Sequence, residues 1–148
     1  MTSDLGASGP RAAAFLARVV EVALADAGLS LPQYRLLSYL SRGSSAASPA
    51  ARDLATSRPS VTALVDGVVA KRLVERLPDV ADRRRITLAL TPEGFTALAR
   101  ADDAIGVRLA SLASHLPPDD AERALGALGL WLEALRAEAS VAAPGTRP

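Results

Sequence analysis

The sequence predicts a mainly α-helical fold with one small β-hairpin (α+β class), and three observations support this prediction. Alanine occupies 31 of the 148 positions and leucine 23, and both residues favour helices. Apolar residues recur every three to four positions along most of the chain, as on one face of a helix. At residues 86–90 large aliphatic residues alternate with the smaller Thr87 and Ala89, and this period of two indicates a half-buried strand. The length corresponds to a single domain over residues 1–148.

Two helices are predicted before residue 44. The first covers about residues 10–27, and Gly28 follows its end as a glycine commonly does. Its apolar stripe consists of Phe15, Val19 and Val22. Ser30 and Gln33 then form a capping box, in which each side chain bonds the backbone N–H of the other, and this begins the second helix. The inward residues of the second helix are Leu36, Leu37 and Leu40, and Gly43 stops it.

The following segment is predicted to contain two further short helices. Residues 44–48 form a loop or a very short strand, and Pro49 suits the first turn of a helix over about 49–55. Ser57 caps a helix over residues 58–72. The inward side of this helix carries Val61, Leu64, Val65 and Val68. Its outward side carries Pro59, Thr62, Ala63 and Asp66.

A β-hairpin is predicted directly after that helix. Its strands cover residues 74–77 and 86–90, and the second should point Ile86, Leu88 and Leu90 inward. The polar tip between them, residues 78–85, carries Asp82 followed by Arg83, Arg84 and Arg85. Three adjacent like charges repel one another and add nothing to folding. The tip is therefore expected to serve an anionic partner outside the protein.

Two long helices are predicted to complete the chain. Thr91 and Pro92 begin a helix that extends to about His115, and after Pro117 a last helix covers about residues 118–140. The stripe of the first consists of Leu98, Ile105, Leu109, Leu112 and Leu116. The stripe of the last consists of Ala121, Leu125, Leu128, Leu132 and Leu135, with Trp131 between them. Long apolar helices at both ends of a short chain are buried most simply against a second copy, so we expect a homodimer with the tryptophan in its core.

Composition excludes several classes of chemistry. The chain contains no cysteine and one histidine, His115, so it lacks the residues for a thiol nucleophile, a catalytic triad or a Cys/His metal site. We therefore expect no cofactor, no metal and no enzymatic activity. No apolar run is long enough to span a membrane. Residues 1–10 do not have the pattern of a signal peptide, and a cytoplasmic protein is expected.

Positive charge is concentrated in the middle of the chain. Residues 50–90 contain eight basic and five acidic residues, although the net charge of the whole chain is only +1. Residues 47–66 fit a helix-turn-helix, with small or apolar residues where two helices cross, a turn at 55–57, and apolar anchors on the second helix. With the hairpin behind it, this becomes a winged helix-turn-helix. In that arrangement the helix at 58–72 enters a major groove of double-stranded DNA and the arginine tip reaches a minor groove.

These motifs resemble the MarR family of winged-helix transcription regulators over about residues 11–140. The resemblance is carried by residues 31–37 (LPQYRLL), 57–62 (SRPSVT), 73–76 (LVER), 82–84 (DRR) and 90–94 (LTPEG). It implies a winged-helix DNA-binding region over about 31–90 and a helical dimerisation region formed by about 10–28 and 92–140. It also implies a repressor, bound to an inverted-repeat operator and released by a small aromatic or anionic ligand.

The residues expected to contact DNA lie on the recognition helix and at the wing tip. On the helix they are Arg58, Pro59, Ser60, Thr62, Ala63 and Asp66. At the tip they are Asp82, Arg83, Arg84 and Arg85. The resemblance implies that Asp82 orients the guanidinium of Arg84 for the minor groove. Family members often have glycine at the position of Arg72, where a cation near the end of a helix is favourable.

A protein-interaction module is the alternative function. In that case the winged helix binds another protein, and the arginine tip is an ordinary solvated hairpin end. Salt dependence separates the two hypotheses. DNA binding weakens steeply with salt because counterions are released from the phosphates, whereas an apolar protein interface does not depend on salt in this way.

Overall fold

The computed structural model describes residues 8–43, 45–46 and 58–142, which form five helices and three strands. In chain order the elements are α1 (Ser8–Asp26), α2 (Leu31–Leu40), β1 (Ser45–Ala46), α3 (Arg58–Ala70), β2 (Val74–Pro78), β3 (Ile86–Leu90), α4 (Pro92–Ala113) and α5 (Pro118–Ala142). The predicted fold class, mainly helical with a small β wing, is confirmed. The short helix expected over about 49–55, the turn at 55–57 and the capping residue Ser57 lie outside the described residues.

The three strands form one antiparallel sheet in the order β1-β3-β2. The register pairs Ser45 with Leu88, Val74 with Leu90, and Pro78 with Ile86. Leu88 and Leu90 are buried, as their alternation predicts. Ile86 lies on the same face of β3 as Leu88, but the prediction that it packs inward with Leu88 and Leu90 is wrong, because Ile86 is 56% exposed. Its pairing with Pro78 places it at the tip end of the hairpin, beyond the buried core.

The chain divides into two compact units, Met1–Gly106 and Val107–Pro148, and the main core lies in the first. The buried core residues are Leu24, Leu29, Leu36, Leu37, Leu40, Val61, Val65, Val68, Val74, Leu88, Leu90, Leu98 and Ala101. The inward faces predicted for α2 and α3 are therefore confirmed, with Leu64 partly buried beside the core. Burial of one stripe on each helix leaves the opposite stripe of α3 exposed to solvent.

Local signals in the sequence account for the ends of α1 and α2. Gly28 has a φ of +78°, the left-handed conformation that glycine adopts at low cost. The N–H of Gly28 donates to the Ala25 carbonyl at 3.0 Å, and the N–H of Leu29 donates to the Leu24 carbonyl at 3.0 Å. The predicted capping box is present, because Gln33 N donates to Ser30 Oγ at 3.3 Å and Ser30 N donates to Gln33 Oε1 at 3.1 Å.

A hydrogen bond between residues distant in sequence joins α2 to α4. The hydroxyl of Tyr34 donates to Asp102 Oδ1 at 2.6 Å. Burial raises the pKa of the Tyr34 hydroxyl well above its ordinary value, and the adjacent Asp102 carboxylate raises it further. The phenol therefore stays protonated and can act as the donor across the physiological pH range.

The second unit contains the last residues of α4 and all of α5. It exposes a series of large apolar side chains, namely Val107, Leu112, Leu116, Leu125, Leu128, Leu130, Trp131, Leu132 and Leu135. Helix α1, at the other end of the described chain, exposes Phe15 and Val22. Within α1 the buried residues are instead Ala23 and Leu24. The apolar stripes predicted at both chain ends are therefore largely uncovered in the single chain.

Candidate nucleic-acid interface

Helix α3 presents a polar face opposite its buried valines. Val61, Val65 and Val68 hold the helix against the core, because they recur at the three-to-four-residue spacing of one helix face. The exposed side carries Ser60, Thr62, Ala63 and Asp66, as predicted. Arg58 and Pro59 lie in the first turn of the helix, but their side chains fall outside the described part of the chain.

The end of α3 has an unusual backbone conformation. Arg72 has a φ of +59°, in the left-handed region that favours glycine. The helix ends as α1 does, because Arg72 N donates to the Val69 carbonyl at 2.9 Å and Leu73 N donates to the Val68 carbonyl at 3.0 Å. The expectation that Arg72 is simply a favourable cation is therefore incomplete, since its backbone conformation is costly for a residue with a Cβ.

The base of the wing is closed by contacts between residues 72–73 and 91–94. Thr91 N donates to the Leu73 carbonyl at 3.1 Å, and the Thr91 hydroxyl donates to the Arg72 carbonyl at 2.7 Å. The same hydroxyl accepts from Gly94 N at 3.0 Å, which confirms the predicted N-cap of α4. A Cβ at Gly94 would overlap the Leu73 carbonyl, so only glycine allows α4 to begin so close to the end of α3.

Asp79 organises the tip of the wing, a role that the sequence analysis missed. Its Oδ1 accepts from Ala81 N at 2.8 Å and from Asp82 N at 3.0 Å. These two N–H donors hold the pKa of the Asp79 carboxyl below its ordinary value, so the carboxylate stays ionised. The turn is closed by Asp79 N, which donates to the Arg85 carbonyl at 2.9 Å. An aspartate that begins a turn and bonds the backbone N–H two residues later is a recognisable sequence signal.

The three arginines of the tip are exposed, but the expected pairing of Asp82 with the Arg84 guanidinium is wrong. Asp82 Oδ1 accepts from the backbone N–H of Arg84 at 3.0 Å, and Asp82 Oδ2 lies 3.8 Å from Arg85 Nε. The reason is local geometry, since an aspartate in a tight turn reaches the nearby backbone more easily than the head of a side chain two residues on. Arg83, Arg84 and Arg85 are thus presented to solvent by an ordered turn.

An ion pair joins α3 to the wing. The guanidinium of Arg76, on β2, pairs with the carboxylate of Asp66, on the exposed side of α3. Asp66 was predicted to face DNA, whereas Arg76 was not singled out. Arg76 lies two residues after the buried Val74 and therefore on the same face of its strand. An arginine on the core-facing side of a strand indicates an acidic partner nearby, and this signal could have identified it.

A shallow groove of about 420 Å³ lies beside the start of α4. Its walls combine apolar and charged side chains, namely Leu73, Pro92, Glu93, Thr96, Ala97 and Arg100. Leu73 forms the wall next to the end of α3, and Arg100 supplies a cation. The groove therefore provides an apolar surface with one positive and one negative group.

Within the ranges 8–43, 45–46 and 58–142, no group of three or more His, Cys, Asp or Glu side chains could hold a metal ion. None of the helices in these ranges is both long enough and apolar enough to cross a membrane.

Comparisons with solved structures show which fold this arrangement belongs to. A mutant of MarR from E. coli superimposes with a TM-score of 0.75 at 21% identity, covering 86% of this chain and 96% of that one. The transcriptional repressor CouR, bound to a 23-mer DNA duplex, gives 0.69 at 26% identity, covering 86% and 92%. A mutant of MepR from S. aureus, bound to an oligodeoxyribonucleotide, gives 0.63 at 21% identity, covering 85% and 94%. No curated protein matches the chain.

A match to a family model covers the middle of the chain. The model of the MarR family matches residues 27–85, which extend from the end of α1 through the arginine tip of the wing. The fold shared with MarR over most of the chain agrees with this match. The chain is thus similar in sequence to the MarR family over residues 27–85, and it shares the winged-helix fold of MarR over most of its length.

Proposed function

We propose that the protein is a homodimeric, sequence-specific DNA-binding transcriptional regulator that acts as a repressor. The observation that carries this proposal is the position of three exposed arginines on an ordered wing next to the polar face of α3. The Arg76–Asp66 ion pair links these two elements, so a nucleic acid could engage both together. The CouR and MepR structures, which contain DNA and share the fold, support the same function.

The proposed contacts follow from the chemistry of each side chain. Ser60 and Thr62 offer hydroxyl groups to base edges in the major groove, and Ala63 offers a methyl group to thymine. Arg58 would contact a phosphate or a guanine from the first turn of α3. Arg84 would enter an adjacent A·T-rich minor groove, where the narrow walls concentrate negative potential and attract arginine.

Selection of bound fragments from the parent genome would test DNA binding directly. The selected operator is then titrated with the wild-type protein and with Arg84→Ala at several salt concentrations. We expect Arg84→Ala to weaken operator binding by about 5- to 150-fold, the range for loss of a base contact. Arg123→Ala on α5, which removes an exposed arginine paired with Asp120, is the matched control and should leave affinity unchanged. If no fragment is selected above background, the proposed function is wrong.

The proposed homodimer rests on the exposed apolar residues of α1 and α5. Two recognition helices related by a two-fold axis would require an inverted repeat with half-site centres about one helical turn apart. Sedimentation equilibrium at micromolar concentration measures the mass. A stable folded monomer would contradict both the dimer and the paired half-sites.

A protein partner is the second candidate, and one observation favours it. Val80 at the wing tip is fully exposed, and Ile86 at the start of β3 is also exposed, so the wing offers apolar as well as basic surface. If the partner is DNA, affinity falls steeply with salt. A protein partner bound through Val80 and Ile86 would instead show weak salt dependence, and Val80→Ser would weaken it more than Arg84→Ala.

We also propose that a small anionic ligand releases the DNA. The groove next to Leu73 has the required chemistry, because Ala97 and Pro92 are apolar and Arg100 can pair with a carboxylate. A panel of aromatic carboxylates is tested for a rise in melting temperature and for loss of operator binding. We expect Arg100→Gln to abolish both effects, and an unchanged response in that variant would place the ligand elsewhere.

A further inference from the structure

Lys71, the only lysine of the chain, connects three helix ends. It lies one residue beyond the end of α3, and its Nζ donates to the Gly28 carbonyl at 2.9 Å and to Gln33 Oε1 at 3.1 Å. Gly28 ends α1, and Gln33 belongs to the capping box of α2. One ammonium group thus contacts the corner between α1 and α2 from the end of the recognition helix.

The Gln33 amide has a second role that strengthens this connection. Its Oε1 also accepts from Ser30 N at 3.1 Å, so the oxygen that bonds Lys71 is held in place by the cap of α2. The amide nitrogen of Gln33 lies 3.5 Å from the position that a Cβ would take at Gly67, one turn before Lys71. Helix α3 therefore approaches α2 closely at this end, where the polar bonds of Lys71 and Gln33 accompany the burial of Val68.

The geometry separates Lys71 from the surface proposed to face DNA. Ser60 and Thr62 lie in the first turns of α3, and Lys71 follows its last turn. A helix of 13 residues is about 20 Å long, so the two ends are well apart. Because the ammonium already bonds two acceptors at the α1–α2 corner, it is held away from the recognition surface. A shift at this end would tilt α3 about its buried valines and move the other end.

We propose that Lys71 is a positioning residue for DNA recognition, which sets the angle of α3 through its bonds to Gly28 and Gln33. The inference rests on the proposed function, because it concerns how the same interface is aligned. It requires operator binding to depend on Lys71 although Lys71 contacts no DNA. Binding to unrelated DNA depends on phosphate charge rather than on base contacts, and it should not depend on Lys71.

The test compares Lys71→Met with Arg72→Gln, which removes the neighbouring exposed cation. Affinities for the selected operator and for unrelated DNA are measured at several salt concentrations and well below the melting temperature. We expect Lys71→Met to weaken operator binding about tenfold, with unchanged affinity for unrelated DNA and an unchanged salt slope. Arg72→Gln should match the wild type in all three measurements. A purely structural role would lower the melting temperature without changing the ratio of the two affinities.

Chemical rescue distinguishes the ammonium group from side-chain length. Because the chain contains no cysteine, Lys71→Cys introduces a unique thiol. Alkylation with 2-bromoethylamine restores an amine at nearly the length of lysine, and alkylation with 1-bromopropane gives an apolar side chain of similar length. The aminoethyl protein should recover operator affinity, and the propyl protein should resemble Lys71→Met.

Three results would overturn the inference. The first is an unchanged operator affinity in Lys71→Met. The second is a salt slope reduced by about one in Lys71→Met, because this would indicate a lost phosphate contact. The third is equal operator affinity of the two alkylated proteins. If Lys71→Met does not fold, Gln33→Met removes one acceptor instead, and wild-type operator affinity in that variant would also overturn it. If the wild-type protein selects no DNA, the proposed function fails first. If it selects an operator that Lys71→Met binds equally well, only this inference fails.

Discussion

Gly28 and Arg72 occupy equivalent positions at the ends of α1 and α3, with different consequences. Both have left-handed backbone conformations, with φ of +78° and +59°, and both donate to a carbonyl three residues earlier. Glycine adopts this conformation readily, whereas a Cβ makes it costly. The Arg72 backbone is held there because its N–H bonds the Val69 carbonyl and its carbonyl accepts from Thr91.

The first prediction concerns this conformation. Arg72→Gly should stabilise the protein by about 1 kcal/mol, because the left-handed backbone no longer carries a Cβ. Arg72→Ala retains the Cβ and should give no such gain, while Gly28→Ala should lose about 1 kcal/mol at the equivalent position. Thermal unfolding of the three variants measures these changes. An equal gain in Arg72→Ala would show that loss of the charge, and not the backbone conformation, is responsible.

Gly94 supports the second prediction. Its missing Cβ allows α4 to begin against the Leu73 carbonyl, and a methyl group there would collide with backbone rather than with a movable side chain. Gly94→Ala should destabilise the protein by about 1–3 kcal/mol, as overpacking does. Gly106→Ala is the matched control, because a Cβ at this helical position meets open space, and it should be neutral or stabilising. Denaturant unfolding compares them, and a neutral Gly94→Ala would contradict the close approach.

At the scale of elements, the wing depends on one carboxylate for the shape of its tip. Asp79→Ala removes the acceptor for the N–H groups of Ala81 and Asp82, and we expect operator affinity to fall although a negative charge is lost. Asp79→Asn retains an acceptor oxygen and should bind DNA more tightly than Asp79→Ala. Amide hydrogen exchange at Ala81 and Asp82 checks the turn itself. Tighter DNA binding by Asp79→Ala would mean that the tip acts only through its charge.

The pH dependence of the same turn follows from the lowered pKa of Asp79. A carboxyl whose pKa is lower in the folded state contributes stability above its unfolded pKa and loses it as pH falls through the folded value. The contribution of Asp79 should therefore be fully present at neutral pH and be lost only in acid. An NMR titration should show its carboxyl titrating below the ordinary value of 3.8.

The bond between α2 and α4 gives a further prediction. Tyr34→Phe removes the donor to Asp102, and we expect a loss of about 1 kcal/mol near neutral pH. Because the pKa of Tyr34 is raised in the folded state, its contribution is present below the unfolded pKa of about 10 and is lost as pH rises above it. Wild-type stability should therefore fall more steeply above pH 10 than that of Tyr34→Phe. Parallel curves over this range would contradict the assignment.

At the scale of the whole molecule, Trp131 reports on association. It is the only tryptophan and is 60% exposed in the single chain, on a helix that also exposes Leu128 and Leu132. If these side chains meet a second copy, dilution to the monomer should shift the Trp131 emission to longer wavelength. Leu128→Arg should produce the shifted emission and half the mass at micromolar concentration. Leu130→Arg, about 160° around the helix from Leu128, is the control and should remain dimeric.

Most of the fold could be predicted from the sequence, because its signals are local. The capping box of Ser30 and Gln33, the glycine that ends α1, and the N-cap at Thr91 each depend on residues within one turn of one another. The inward faces of α2 and α3 follow from apolar spacing alone, as the burial of Leu36 and Val65 shows. The burial of Ile86 was predicted wrongly because the alternation of β3 continues beyond the edge of the core. Only the tertiary packing sets where that edge lies.

The tertiary structure decided which side chains meet across elements. The Asp66–Arg76 pair, the bonds of Lys71 to the α1–α2 corner and the hydroxyl of Tyr34 on Asp102 join residues separated by 10 to 68 positions. Such pairs depend on the packing angle and register of whole elements, and local periodicity carries neither. The sequence by itself therefore determined the five described helices, the hairpin and the arginine tip. The alignment of α3 with that tip was determined by tertiary packing. In this packing α3 pairs with the wing through Asp66 and Arg76, and Lys71 bonds the ends of α1 and α2.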